Sequence, residues 1–269
     1  RDQSAALRCQ ISGWHVEGPF LSPEPGFRGV HNSEVMSDPS AERMDELKAV
    51  VGNDPTLLTS AAERDGAIAS IRRAVEVGIH VSIGHSDASA DQLREAVATG
   101  ATGFTHLGNG MPQAMDRFDN IVGRVLDTEG LTVGLIADGQ HVTRQLFRLI
   151  HKAQPAAGIY YTSDAMAAAG APPGRYRLGK HEMEVGEDQV VRIPGQTNFA
   201  GSALMPYEGI RRAADMLGRS WRDVWDFFSI NPAALVGLSA GIEVGAAADL
   251  CIVHGDDASL RSVAWGGDR

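Results

Sequence analysis

Four side chains that could hold a metal ion or move a proton occupy equivalent positions along the sequence. Each lies at or just after the end of a short apolar run that predicts a β-strand; the four are Glu17, His85, His106 and Asp164. Imidazoles and carboxylates are common ligands of a divalent transition metal, and such a metal lowers the pKa of bound water toward about 7. Asp164 could take a proton from that water and deliver it to a leaving nitrogen. The pattern predicts a metal-dependent hydrolase or lyase.

A structural role competes with metal binding at each of these positions taken alone. A single histidine at a strand end, such as His85 or His106, is more often a structural residue than a ligand. The shared location of all four side chains at strand ends is the observation that favours a metal site.

The elements that must position these residues alternate between strand and helix. Amphipathic segments separate the apolar runs, Gly78 and Gly100 end two of the helices, and Asp38-Pro39 predicts the start of another. This alternation predicts a parallel α/β sheet whose polar site lies at the carboxyl ends of the strands, as in a (β/α)8 barrel or a doubly wound sheet. The six predicted strands are 10–16, 56–59, 79–83, 103–107, 131–137 and 159–163.

The pattern changes after Asp164. Alternating short runs over about 174–194 predict a small β insert, apolar residues at helical spacing follow, and strand character returns toward the end. We therefore expect a hydrolase barrel over 1–238 and part of a small β-sandwich domain over 239–269. Because six strands are two fewer than a closed barrel needs and the first residue is Arg1 rather than methionine, we expect a processed or incomplete chain.

Net charge and the length of the apolar runs disfavour two classes of partner, nucleic acids and membranes. The 269 residues carry a net charge of −10, which disfavours nucleic-acid binding, and no apolar run reaches the ~18 residues that span a bilayer. No signal peptide is visible, so a cytoplasmic location is expected. Cys9 and Cys251 both lie in apolar runs, which predicts buried free thiols rather than a disulfide.

Longer motifs surround these four residues and recur over nearly all of the chain. They are His15–Phe20, Gly29–Asn32, Gly84–Ser86, Gly103–Met111, Ile136–Val142, Thr162–Met166, Phe199–Ser202, Asn231–Ala233 and Ala248–Leu250. In one collinear order, these segments resemble the motifs of the N-acetylglucosamine-6-phosphate deacetylases of the amidohydrolase superfamily. The resemblance implies a (β/α)8 TIM-type amidohydrolase barrel, here lacking its first two βα units, with a remnant of a small β-sandwich domain at the C-terminus.

The same resemblance implies roles for the reacting groups. Glu17, His85 and His106 would be the metal ligands, with Zn²⁺ as the expected ion, Fe²⁺ or another divalent ion as the alternative, and one or two ions bound. Asp164 would deprotonate the water and then protonate the amine. His31 would polarise the acetyl carbonyl.

Further residues would bind the substrate. Asn109 and Gly110 would contact the phosphate end, and His141 and Arg117 would bind the phosphate itself, Arg117 either from the same chain or from a neighbouring subunit of a homodimer. Taken alone, Arg117 fits a solvated surface charge and Asn109 fits a turn residue. The remaining pocket residues implied by the resemblance are the Val30 backbone, Phe199, Ala200 and Gly201.

Two departures from the family pattern bear on this assignment. Gly110 stands where family members usually carry alanine, and 59–63 departs from the usual loop sequence. The implied activity is hydrolysis of a linear amide, the acetyl group of N-acetyl-D-glucosamine 6-phosphate. The alternatives are the N-acetylgalactosamine 6-phosphate epimer, another amidohydrolase substrate, or an inactive truncated fragment without enzymatic function.

Overall fold

A computed structural model describes residues 4, 7, 10–179, 181–195, 199–246, 248–255 and 260–264. Its main feature is a six-stranded sheet in which every neighbouring pair is parallel and the spatial order follows the chain. The strands are β1 (Trp14–Glu17), β2 (Thr56–Ser60), β3 (His80–Ile83), β4 (Ala101–Phe104), β5 (Thr132–Ile136) and β6 (Ile159–Thr162). All six predicted strands are present and parallel, although β1 begins four residues later than predicted and β4 spans 101–104 rather than 103–107.

Helices connect the strands and cover one face of the sheet. Each buries apolar side chains in a shared core, among them Met44, Ile71 and Phe147, and each such burial contributes about 1.5–3 kcal/mol. This packing holds the strands, and therefore their ends, in fixed positions. The helices are α1 (Ala41–Val51), α2 (Ala67–Glu76), α3 (Ala90–Thr99), α4 (Ile121–Asp127) and α5 (Arg144–Ala153).

Helix ends follow local capping chemistry. Ser89 and Gln92 form a reciprocal capping box at the start of α3, and Gly100 ends that helix in the left-handed conformation, as predicted. The predicted start of α1 at Asp38-Pro39 is wrong by two residues. The Ser40 side chain accepts the Arg43 N–H, so Ser40 is the N-cap and the helix begins at Ala41.

The sheet is strongly curved. Neighbouring strands lie about 4.8 Å apart, so β1 and β4 would be about 14 Å apart in a flat sheet. Yet Glu17 at the end of β1 contacts His106 just beyond β4 at 2.8 Å. Asp164, just beyond β6, lies close enough to both side chains for their charges to affect its pKa. The carboxyl ends of the strands therefore converge on one region, as in a barrel.

A second, antiparallel sheet follows β6. It consists of β7 (Gly174–Leu178), β8 (His181–Val185), β9 (Val190–Arg192) and β10 (Phe199–Ser202), so the β insert predicted over 174–194 extends to Ser202. A parallel bridge between Ala165 and Ser202 links this sheet to the end of β6. The chain continues through α6 (Pro206–Leu217), a 3₁₀-helix (Trp221–Phe228) and α7 (Ile230–Leu235).

The last described strands form a separate two-stranded antiparallel sheet. They are β11 (Leu250–Val253) and β12 (Leu260–Ala264). The prediction of a buried thiol at Cys251 is wrong, because this residue is exposed on β11. Cys9 lies outside the described residues. Among the helices that the structure describes, none combines the length and apolarity needed to cross a membrane.

Candidate active site

Three imidazoles surround the Glu17 carboxylate. His106 Nε2 lies 2.8 Å from Oε1, His85 Nε2 lies 3.2 Å from the same oxygen, and His31 Nε2 lies 3.2 Å from Oε2. Glu17 ends β1, while His85 and His106 follow the ends of β3 and β4. The structure therefore brings together the three residues predicted to bind a metal and adds His31 to them.

The charges of this cluster are mutually dependent. Burial alone would raise the pKa of Glu17, but the hydrogen bond and positive charge of His106, with a further hydrogen bond from His31, hold this pKa well below its usual range. Burial would lower the pKa of His106, yet the Glu17 carboxylate raises it to about 9. The pKa of His85 is lowered, chiefly by burial. Glu17 is thus an anion that needs cationic partners in a buried setting.

The orientation of His85 fits a metal ion. Its Nδ1 can only donate to the carbonyl oxygen of Phe27, because that oxygen is an acceptor. In the neutral ring, Nε2 then carries a lone pair, and it faces the Glu17 oxygen at 3.2 Å. Among the described residues, this buried nitrogen has no hydrogen-bond partner. Two acceptors that face each other at this distance are stabilised by a cation between them, and the Phe27 carbonyl fixes the ring as outer partners of metal ligands do.

A close group of possible metal-binding atoms is formed by Glu17, His31 and His85. One atom from each lies within 4.8 Å of the other two. This set differs from the predicted ligands in containing His31, which was assigned to the substrate carbonyl, while His106 joins the cluster through Glu17 Oε1. One carboxylate and several imidazoles form a donor set that suits zinc and Fe²⁺.

Asp164 faces the same region from the end of β6. Burial raises the pKa of its carboxyl, against the opposing charge of His106. A raised pKa suits a group that accepts and returns a proton near neutral pH. Ser202 of β10 fixes its backbone, since the Ser202 N–H donates to the Asp164 carbonyl oxygen at 3.0 Å.

The backbone gives independent support for a special role of these residues. His85, His106 and Asp164 have φ values of 50°, 32° and 48°. Residues other than glycine rarely adopt this left-handed backbone conformation. The conformational strain of about 1–3 kcal/mol is typically tolerated at functional sites. Among the described residues other than glycine, only Gln189 shares this property.

The segment after His106 packs directly against His85. Asn109 donates from its side-chain amide to the His106 carbonyl oxygen at 3.3 Å, which is a turn contact. Gly110 has φ of 56°, and a Cβ there would lie 2.7 Å from His85 Nδ1. With the His85 ring in this position, glycine is required at residue 110.

His141 lies at the other end of the candidate site. Its Nδ1 bonds to Asp138 Oδ2 at 2.6 Å, and Asp138 Oδ1 accepts the backbone N–H of Gln140 and of His141. The Phe199 ring lies 4.8 Å from the imidazole, centre to centre. Among the described residues, the buried Nε2 of His141 has no hydrogen-bond partner. Asp138 thus fixes the ring with one nitrogen available for a ligand.

Among the described residues, no hydrogen bond or ion pair joins Arg117 to the Glu17 cluster or to His141. Arg117 is exposed in the loop that precedes α4, and its guanidinium lies 5.7 Å from the centre of the exposed Phe118 ring. Of the other predicted pocket residues, Ala200 is buried and Val30 is partly buried in the same apolar cluster, while a Cβ on Gly201 would lie 3.7 Å from the Asp164 carbonyl oxygen.

Sequence reasoning missed three contributors to this site. The Phe27 carbonyl, which orients His85, carries no signal, because any residue presents the same group. Ser202 was only part of a matching motif. Asp138 did carry a signal, since an aspartate that directly follows a strand and precedes a histidine by three residues favours such a turn.

Comparisons with known proteins agree with this arrangement, although no family model matches the chain. The chain is 33% identical to N-acetylglucosamine-6-phosphate deacetylase of Danio rerio over 90% of its own length and 62% of the relative. It is 30% identical to that of Bacillus subtilis over 98% of its length and 67% of the relative. It therefore spans about 62% of the length of the first curated relatives that it matches.

Solved structures show the same relationship. The N-acetyl-D-glucosamine-6-phosphate deacetylase of Mycobacterium smegmatis, solved as a mutant in complex with N-acetyl-D-glucosamine-6-phosphate, matches with a TM-score of 0.88 at 32% identity. The match covers 98% of this chain and 70% of that one. The Pasteurella multocida deacetylase matches with a TM-score of 0.84 at 30% identity, over 96% of this chain and 66% of that one.

Fold and site together define the class of protein. Parallel strands that curve until their carboxyl ends share a Glu/His cluster and a buried aspartate make this chain an α/β, TIM-like amidohydrolase. The identity to the Bacillus subtilis and Mycobacterium smegmatis proteins, over two thirds or more of their lengths, is specific enough to name the family. The chain belongs to the N-acetylglucosamine-6-phosphate deacetylase family.

Proposed function

We propose that the protein removes the acetyl group from N-acetyl-D-glucosamine 6-phosphate and releases acetate and D-glucosamine 6-phosphate. The observation that carries this proposal is the Glu17 carboxylate, held among three imidazoles beside Asp164 in a chain of this family. The named activity of the similar proteins supplies the substrate.

The proposed metal ligands are Glu17, His85 and His106. When bound, one or two divalent ions, with Zn²⁺ expected and Fe²⁺ as the alternative, supply Lewis acidity toward water and the acetyl carbonyl. The raised pKa of His106 reflects the attraction of Glu17 for a positive charge at this place. A bound metal ion would supply the positive charge beside Glu17 in place of the proton on His106.

Asp164 carries the proton in the proposed mechanism. Its carboxylate accepts a proton from the attacking water, and the resulting acid returns that proton to the amide nitrogen as the C–N bond breaks. Its buried position, with a raised pKa, favours both steps near neutral pH. His31 lies on the opposite side of the Glu17 carboxylate from His106 and donates a hydrogen bond to the acetyl oxygen in this proposal.

The phosphate end of the substrate is assigned to His141 and Arg117. The free Nε2 of His141 is a ready partner for a phosphate oxygen, while Phe199 and Ala200, beside it on β10, form the sugar wall. Val30, Asn109, Gly110 and Gly201 complete the proposed pocket. Because Arg117 is exposed and its guanidinium contacts the exposed Phe118 ring, we propose a homodimer in which it serves the neighbouring subunit.

The remaining assignments are proposals of the same kind. Residues 1–238 form the hydrolase domain, and 239–269 belong to a small β domain of which β11 and β12 are the described part. We propose that the enzyme acts in the cytoplasm on a free sugar phosphate, in amino-sugar breakdown.

Acetate release tests the proposed reaction. The full gene product, loaded with Zn²⁺, is assayed with N-acetylglucosamine 6-phosphate, its galactosamine epimer and unphosphorylated N-acetylglucosamine. We expect the first to have the highest kcat/KM. Folded, metal-loaded protein that releases no acetate from any of them would reject the proposal. A higher kcat/KM with N-acetylgalactosamine 6-phosphate would show that this epimer is the preferred substrate.

A further inference from the structure

The guanidinium of Arg124 joins two loops at the carboxyl ends of the strands. Arg124 lies in α4, and its side chain is only 16% exposed. Nε donates to Asp119 Oδ1 at 2.5 Å, and one terminal nitrogen donates to Asp87 Oδ1 at 3.0 Å and to the Ala88 carbonyl oxygen at 3.1 Å. The other terminal nitrogen bonds to the Asp119 carbonyl oxygen at 3.3 Å. We call Arg124 with Asp87, Ala88 and Asp119 the Arg124 clamp.

One side of the clamp is next to the proposed metal site. Asp87 and Ala88 follow His85 by two and three residues. Glu63 fixes the same segment from the loop after β2, since its carboxylate accepts the Asp87 N–H at 3.0 Å and the Ser86 hydroxyl at 2.5 Å. The segment that carries Asp87 and Ala88 is therefore held in place independently of Arg124.

The other side of the clamp is the loop 112–120, which carries Arg117. The loop is held internally, because the Asp116 carboxylate accepts the N–H of Phe118 and of Asp119 at 2.8 and 3.0 Å. Residues 113–119 are all exposed, Phe118 at 88%. Within the described ranges, no hydrogen bond or ion pair joins 113–119 to any residue outside 113–124 except through Arg124. Arg124 is thus the loop's polar attachment to the sheet.

The geometry points to Arg124 as a positioning residue for substrate selection. We propose that the clamp holds the loop 112–120 at a fixed place relative to the His85 segment, so that Arg117 is presented for the phosphate of a phosphorylated amino sugar. The inference rests on the proposed function and names a residue that sets its preference for phosphorylated over unphosphorylated substrate. Only a planar donor with several N–H groups can serve carboxylates and carbonyls on two loops at once.

Arg124→Ala and Arg73→Ala form a matched pair of variants. Arg73 also bonds two carboxylates, Asp45 at 2.8 Å and Glu76 at 3.1 Å, but it joins α1 to α2 away from the strand ends. In the full gene product we expect Arg124→Ala to raise KM for N-acetylglucosamine 6-phosphate about tenfold, the equivalent of one charged hydrogen bond. We expect kcat/KM for unphosphorylated N-acetylglucosamine and the bound metal to be unchanged. Arg73→Ala should change none of these quantities.

A second measurement does not depend on activity. Hydrogen exchange, followed by mass spectrometry, should be faster across 112–120 in Arg124→Ala and unchanged there in Arg73→Ala. Arg124→Lys should resemble Arg124→Ala, because an ammonium cannot bridge both loops. If exchange rises but the wild-type protein releases no acetate, the clamp stands and the proposed function fails.

Two results would overturn the inference. An equal loss on phosphorylated and unphosphorylated substrates would show that Arg124 supports the whole site rather than phosphate selection. Unchanged exchange across 112–120 in Arg124→Ala would show that the loop is held by other means.

Discussion

The proposed metal-binding end and the proposed phosphate-binding end of the candidate site differ in how completely one chain assembles them. At the proposed metal end, Glu17 lies within 3.2 Å of three imidazole nitrogens. At the proposed phosphate end, His141 is held by Asp138, whereas Arg117 lies against the exposed Phe118 ring and, within the described ranges, has no hydrogen bond or ion pair to a site residue.

The difference follows from the elements that carry the residues. Glu17, His85 and His106 lie at or next to strand ends, whose positions are set by the hydrogen-bonded register of the sheet. Arg117 lies on a loop whose hydrogen bonds and ion pairs to the rest of the described chain all run through Arg124. Strand ends hold reactive side chains in fixed positions within one chain. A surface loop is better suited to contact a substrate or a second subunit. Substitutions at the two ends should therefore have different effects.

Asp164→Asn should have the largest effect and act on kcat. Asparagine keeps the size of the side chain but cannot accept the proton from water, so we expect kcat to fall about 10³-fold. Bound metal, measured by mass spectrometry, and affinity for the substrate, measured by calorimetry, should be retained. A variant with near wild-type kcat would show that another group moves the proton.

Glu17→Gln should break the metal end itself. Removing the central carboxylate leaves the imidazoles without their anion, so we expect metal affinity to fall by at least about 100-fold, since loss of an outer partner alone costs up to this much. Activity should fall in proportion to metal content. Glu46→Gln is the control, because that carboxylate is exposed and paired with Arg43. Full metal retention in Glu17→Gln would contradict the assignment.

Arg117→Ala tests the phosphate end. We expect KM for N-acetylglucosamine 6-phosphate to rise about tenfold, from the loss of one charged hydrogen bond, with kcat nearly unchanged. Arg94→Ala, at an exposed arginine paired with Asp91, is the control. An equal loss with unphosphorylated N-acetylglucosamine would remove Arg117 from phosphate binding.

Asp138→Asn should have the smallest effect, visible in the pH dependence of stability. Burial opposes ionisation of Asp138, but its hydrogen bonds from His141 and two backbone N–H groups lower its pKa below the usual 3.8. A depressed carboxyl pKa contributes stability that is present above the unfolded value and is lost as pH falls through the folded value. The difference in unfolding free energy between wild type and Asp138→Asn should therefore shrink below about pH 4. Denaturant titrations at pH 7, 5 and 3.5 measure it, and a difference independent of pH would reject the argument.

Much of the fold and the metal end was predictable from local patterns. Alternation of apolar runs and helical faces located all six parallel strands, and polar residues after those runs located Glu17, His85, His106 and Asp164. Each of these patterns is contained in a short stretch of sequence, so it can be recognised without knowing the fold.

The missed features depend on contacts between distant segments. The Phe27 carbonyl meets His85 across 58 residues, and Arg124 reaches Asp87 across 37. The exposure of Cys251 depends on what covers β11 rather than on the apolar run that contains it. Steric limits also depend on distant segments, since a Cβ on Gly110 would lie 2.7 Å from Nδ1 of the His85 ring.

The central claim is that Glu17, His85 and His106 hold a metal ion needed for acetate release. Measuring acetate release before and after the metal is removed, and again after it is restored, tests this claim most directly. The full gene product is assayed with N-acetylglucosamine 6-phosphate as purified, after chelation and dialysis, and after Zn²⁺ is restored. We predict that acetate release is lost with the metal and recovered with Zn²⁺, while the chain stays folded. Undiminished turnover by the metal-free protein would contradict the role assigned to Glu17, His85 and His106.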